Sequence, residues 1–226
     1  MTSGEIKYEV YLELGKKKIF AGAVDWPGWS RSGPTDQAAL ETLVYYAPRY
    51  AAALNNSGLE FRPPDGMRDL VIVERLEGNQ TTDYGAPGIA PAADARPVGE
   101  TELGRFTTIL NACWQKLDEA VQAAANRELR KGARGGGRER DEIVAHVIEA
   151  EGAYLERIGW NLKADETTDA QKVRDAAIQG LIASAHGELP AVGPRGGKRW
   201  SPRYFVRRVA WHVLDHAWEI EDRLTE

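Results

Sequence analysis

The sequence predicts an α+β protein in which a small β-β-α-β domain precedes a bundle of four helices. Near the N-terminus, apolar and polar residues alternate as in a half-buried strand. After position 100, apolar residues recur every three or four positions, as in amphipathic helices. A stretch rich in proline and glycine separates the two patterns. We therefore expect domains at 1–77 and 100–226, joined by a linker at 78–99.

The N-terminal domain is predicted as a hairpin, one helix and a further strand. Thr35 is a suitable N-cap for a helix over 36–47. Pro48 is expected to break or restart that helix, because proline lacks an N–H and clashes with the preceding turn. The strands are expected at 6–14, 19–24 and 69–74.

The linker and the helical region differ in their periodicity. Residues 78–99 contain three prolines among glycine, alanine and threonine and keep no regular period, which predicts an extended linker. Ser201 followed by Pro202 is a strong helix start, with serine as N-cap and proline at the first helical position. The four helices are expected at 100–125, 138–159, about 168–185 and 201–224.

Composition excludes several classes of protein. The 226 residues are 42% hydrophobic and 28% charged, as in ordinary globular proteins. A net charge of −5 argues against a general nucleic-acid binder, because no basic excess is available to neutralise phosphates. No apolar run approaches the roughly 18 residues of a membrane span. The single cysteine, Cys113, and an N-terminus without signal-peptide features predict a cytoplasmic protein.

Two of the four histidines lie four residues apart in the last predicted helix. This spacing places His212 and His216 on one face, and neutral imidazole is the commonest metal-ligating side chain. His146, in the second predicted helix, is the third candidate ligand. A single His-x-x-x-His is more often two ordinary histidines than a metal site, so the metal hypothesis depends on all three converging.

Their depth along the bundle sets a condition on topology. With a rise of about 1.5 Å per residue, His146 lies roughly 12 Å from the start of its helix and His216 roughly 12 Å from the end of its own. The rings reach one level only if these two helices are antiparallel. That arrangement is an up-down-down-up bundle with a crossover between the second and third helices, for which the connector at about 160–166 is short.

The region 100–226 resembles the DinB-like (YfiT-type) metalloprotein superfamily. The matching features are a histidine in the second helix, within Asp141–Glu151, and a His-x-x-x-His in the fourth, within Arg208–Arg223. The resemblance implies an up-down-down-up bundle holding one divalent metal, often zinc or nickel, on His146, His212 and His216. Several relatives are S-transferases or isomerases that use mycothiol, bacillithiol or glutathione-like thiols. Some mycothiol-dependent relatives have glutamate where this chain has His212, which argues against an isomerase assignment.

The N-terminal unit is similar to HicB-like antitoxin domains over a short motif. The matching residues are Val24-Asp-Trp-Pro-Gly28, then Gly33-Pro-Thr35, then a helix containing Ala38-Ala39-Leu40. No helix-turn-helix follows, so the sequence does not support an antitoxin role. A scaffold that packs on the bundle or dimerises it is the preferred interpretation.

Three protein ligands leave a coordination position open, which is typical of catalytic rather than structural metal sites. The sequence thus predicts a metal-dependent transferase or hydrolase acting on a small molecule, with a low-molecular-weight thiol as a candidate cofactor. Glu149 and Asp215 are candidates to orient the ligands, and the 130–140 loop to bind an anion. The alternative is a non-catalytic interaction or dimerisation module with a structural metal. Expected partners are a small molecule and a second copy, but neither nucleic acid nor membrane.

Overall fold

The computed structural model describes residues 6–131 and 137–224, and the fold is α+β. The chain forms two units, Met1–Arg96 and Pro97–Glu226. A four-stranded mixed sheet lies in the first unit, in the order β3-β2-β1-β4. β2 pairs antiparallel with β1 and β3, whereas β4 pairs parallel with β1. The strands are Tyr8–Leu14 (β1), Ile19–Ala23 (β2), Ser30–Gly33 (β3) and Leu70–Glu77 (β4).

The long helix of the first unit, α1, spans Asp36–Leu54 and packs on the sheet. Thr35 caps it as predicted, since its hydroxyl accepts from the Ala38 N–H at 3.2 Å. The expected break at Pro48 is wrong, because α1 continues through this exposed residue. Fully buried residues before and after the proline hold both halves on the sheet; these are Leu43, Ala47 and Tyr50.

The segment predicted as an extended linker, 78–99, is instead largely folded into the first unit. A short helix, α2 (Gln80–Tyr84), begins with a capping box formed by Asn79 and Thr82. The reason lies in β1, where the buried Glu13 carboxylate needs hydrogen-bond donors. The Thr82 hydroxyl donates to it, as do the backbone N–H groups of Gly88 at 2.8 Å and Ile89 at 3.2 Å.

Over residues 97–131 and 137–224, the second unit contains four long helices, close to the four that were predicted. The last of them, α6, contacts the other three, and α4 also packs against α5. None of the helices in the described ranges combines the length and apolar character that a membrane span requires. The helices are Glu100–Ala123 (α3), Arg140–Ile158 (α4), Ala170–Ala185 (α5) and Pro202–Arg223 (α6).

Candidate metal centre

Local sequence fixes the two helices that carry the candidate ligands. The Ser201 side chain accepts from the Tyr204 N–H at 3.2 Å and starts α6 as predicted. At the start of α4, Glu139 and Glu142 form a reciprocal capping box. These caps fix the residues at which α4 and α6 begin, so the histidines lie within regular helices.

The imidazoles of His146, His212 and His216 lie together. Their potential ligand nitrogens are all within 4.8 Å of one another, and the Nε2 atoms of His146 and His212 are 3.3 Å apart. In a tetrahedral site with bonds of 2.0–2.1 Å, two ligand nitrogens are separated by about 3.3 Å. Within the described part of the chain, the three histidines therefore lie close enough to hold one metal ion.

Burial favours the neutral, metal-binding form of two of these rings, those of His212 and His146. It lowers the pKa of His212 well below the ordinary histidine value, and the neighbouring histidines and the charges of Arg208 and Arg138 act in the same direction. Burial, Arg138 and His216 also lower the pKa of His146. Both shifts favour the neutral imidazole, which is the form that binds a metal ion.

Glu219 orients the third ligand. The His216 Nδ1–H donates to Glu219 Oε2 at 2.8 Å, which leaves Nε2 for the cluster. This hydrogen bond lowers the pKa of Glu219, with Arg223 donating to the other carboxylate oxygen at 2.7 Å. The sequence pointed instead to Glu149, which is exposed, and to Asp215. The sequence feature that could have identified Glu219 is its three-residue spacing from His216, which places the two side chains next to each other on the helix surface.

Arg208 and Tyr154 form a second group of side chains beside the cluster, which the sequence did not predict. Arg208 Nη2 donates to the Tyr154 hydroxyl at 3.0 Å, and its guanidinium carbon lies 5.2 Å from the centre of that ring. The same ring is 5.8 Å from the His212 ring, centroid to centroid. The site therefore combines three imidazoles with a nearly buried cation.

The 130–140 loop, which the sequence offered as a candidate for anion binding, falls partly on residues 132–136, which lie outside the described ranges. Two of its described arginines bind backbone carbonyls. Arg130 donates to Asp222 O at 2.6 Å, and Arg140 donates to Ala125 O at 2.9 Å. Arg130 thus connects the segment after α3 to the end of α6, and Arg140 connects the start of α4 to the segment after α3.

Comparison of this chain with protein-family models, with curated proteins and with solved structures found no match.

Proposed function

We propose that the second unit is a DinB-like, up-down-down-up four-helix bundle in which His146, His212 and His216 hold one divalent metal ion. The observation that carries this proposal is the meeting of three imidazoles from α4 and α6. The antiparallel course of these helices, which the depth of the histidines requires, is part of the proposal.

The three histidines are better arranged to bind a metal ion than to form hydrogen bonds with one another. Among the described residues, the buried Nδ1 of His212 has no hydrogen-bond partner, while its Nε2 faces the Nε2 of His146. A metal ion between the two Nε2 atoms would take a lone pair from each, whereas the two rings alone can share at most one hydrogen bond. Imidazole donors suit zinc and nickel among the divalent ions, and these two are the metals that we favour.

The proposed activity is a metal-dependent transfer or hydrolysis on a small molecule, with a low-molecular-weight thiol as the candidate cofactor. Three protein ligands leave a position for substrate, and an ion held there would supply Lewis acidity. The chain supplies the remaining parts. Glu219 holds the His216 ring in one orientation, and Arg208 provides a fixed positive charge at the edge of the cluster.

Metal analysis of protein purified without a histidine tag tests the proposal. We expect one equivalent of zinc or nickel, and at least about hundredfold weaker binding in His146→Ala or His212→Ala, since each removes one ligand. His186→Ala is the matched control, because His186 is 40% exposed and bonds to Glu100 at 2.9 Å instead. Equal metal binding by all these variants, or none by the parent, would contradict the metal centre.

A second candidate function is a dimerisation module with a structural metal. The observation that favours it is β4, an edge strand on which Val71 and Val73 are 43% and 48% exposed. Exposed apolar edge strands readily pair with a second copy. A monomeric mass in light scattering at high protein concentration would exclude this candidate.

A further inference from the structure

We propose that Arg208 binds the carboxylate of a small-molecule ligand whose other end reaches the metal. The substrate class of this site is then a small carboxylic acid with a metal-binding donor group. This inference rests on the proposed metal centre, because it names the ligand of that centre.

Arg208 is held rigidly by the side chains around it. It is 6% exposed, and its guanidinium carbon lies 5.2, 5.1 and 6.0 Å from the ring centres of Tyr154, Trp211 and Trp200. Aromatic faces attract a guanidinium and fix its plane. The Tyr154 hydroxyl accepts from Nη2 and fixes its rotation within that plane. A guanidinium fixed in this way is preorganised for a planar carboxylate.

Arg208 lies close to the candidate metal ligands. Arg208 precedes His212 by one turn of α6, a rise of about 6 Å on the same face of the helix. Tyr154 stands against both residues, with its ring 5.8 Å from that of His212. A short ligand can therefore reach the histidine cluster with one end and the guanidinium with the other.

The charges around the cluster favour an anionic ligand. Imidazole ligands carry no negative charge, so they leave the two positive charges of a divalent ion uncompensated. Arg208 and Arg138 place further positive charge close enough to act on the His212 imidazole. Glu219, the carboxylate that His216 contacts, also binds Arg223. An anionic ligand is favoured in such a field, and a carboxylate can also use the directional N–H groups of Arg208.

A pair of thiols that differ in their carboxylate tests the inference. The protein is loaded with cobalt(II), and 3-mercaptopropionate or 2-mercaptoethanol is titrated while thiolate-to-cobalt absorption is recorded. We expect the parent to bind 3-mercaptopropionate about tenfold to a hundredfold more tightly, the range of a charge-assisted hydrogen bond. Arg208→Met should reduce this preference to less than about threefold. Arg208→Lys and Tyr154→Phe should each keep an intermediate preference.

Arg157→Gln is the control, because it removes an exposed positive charge from α4 and should keep the full preference. If cobalt does not bind the parent, the metal centre and this inference both fail. If cobalt binds and the parent shows no preference, or Arg208→Met retains it, only the inference is overturned. If Arg208→Met does not fold, Tyr154→Phe is the deciding variant. An unchanged preference for 3-mercaptopropionate in Tyr154→Phe would overturn the proposed role of Arg208 and Tyr154.

Discussion

At the residue scale, burial changes the pKa of Glu151, a residue outside the histidine cluster. This α4 carboxyl group is 2% exposed and accepts a hydrogen bond from the Trp114 indole N–H of α3. Burial raises its pKa from 4.5 to about 7, while that hydrogen bond and the charge of Arg174 oppose the change. The folded protein therefore holds a proton there that the unfolded chain releases.

The sign of the resulting pH dependence follows from this raised pKa. The contribution of Glu151 to stability is fully present below pH 4.5 and is lost as pH rises through about 7. A change of this size corresponds to about 3 kcal/mol of unfolding free energy. We expect Glu151→Gln, which cannot ionise, to lack this decline and to gain stability relative to the parent between pH 5 and 8.

Urea denaturation of both proteins in EDTA at several pH values measures the difference, in which the contributions of the histidines cancel. Glu156→Gln is the control, since it changes an exposed glutamate on the same helix. Curves for parent and Glu151→Gln that run parallel across this range would contradict the assignment.

Sequence predicted the ligands of the candidate site better than their surroundings. The prediction that His146, His212 and His216 lie together is confirmed, because spacing along one helix and depth along another carry that information. Arg208 was not predicted. Its role depends on rings from α4 and from the loop before α6, and the periodicity of one helix says nothing about such partners.

At the scale of elements, the starts of two helices, α1 and α6, were predicted correctly, and the interruption predicted for α1 was wrong. Ser201 begins α6 and Thr35 begins α1 through local hydrogen bonds that the sequence specifies directly. The course of α1 through Pro48 depends instead on burial against the sheet. The strand β3 was missed for a similar reason, since Ser30–Gly33 has little strand character of its own and pairs with β2.

Pro48 in the interior of α1 predicts a stabilising substitution. It is exposed, so its replacement disturbs little packing, and alanine restores the N–H that bonds one turn back. Proline in a helix interior costs about 3 kcal/mol, offset by about 1 kcal/mol because proline restricts the unfolded chain. We expect Pro48→Ala to stabilise the first unit by about 1–2 kcal/mol, measured by calorimetry.

Glu41→Ala is the control, since Glu41 is also exposed on α1, and it should change stability by less than about 0.5 kcal/mol. No gain in stability for Pro48→Ala would contradict the view that Pro48 destabilises α1.

At the scale of the whole molecule, the boundary between the units lies near residue 96 and not at 77. Composition suggested a linker because proline and glycine disrupt regular periods. It could not show that Glu13 in β1 binds the chain at Thr82, Gly88 and Ile89. Contacts between residues about seventy positions apart decide where this unit ends.

All three metal-ligand candidates belong to the second unit, so metal should stabilise the two units unequally. A ligand that binds only the folded form at 100 times its Kd adds about 2.7 kcal/mol, which slows exchange through global unfolding about a hundredfold. We expect zinc to slow amide hydrogen exchange in α4 and α6 to this extent and to leave β1–β4 unchanged, as read by mass spectrometry. His212→Ala should abolish the effect and His186→Ala should retain it. Equal slowing in the sheet would mean that the units unfold together, whereas no slowing in α6 would contradict a metal bound by its histidines.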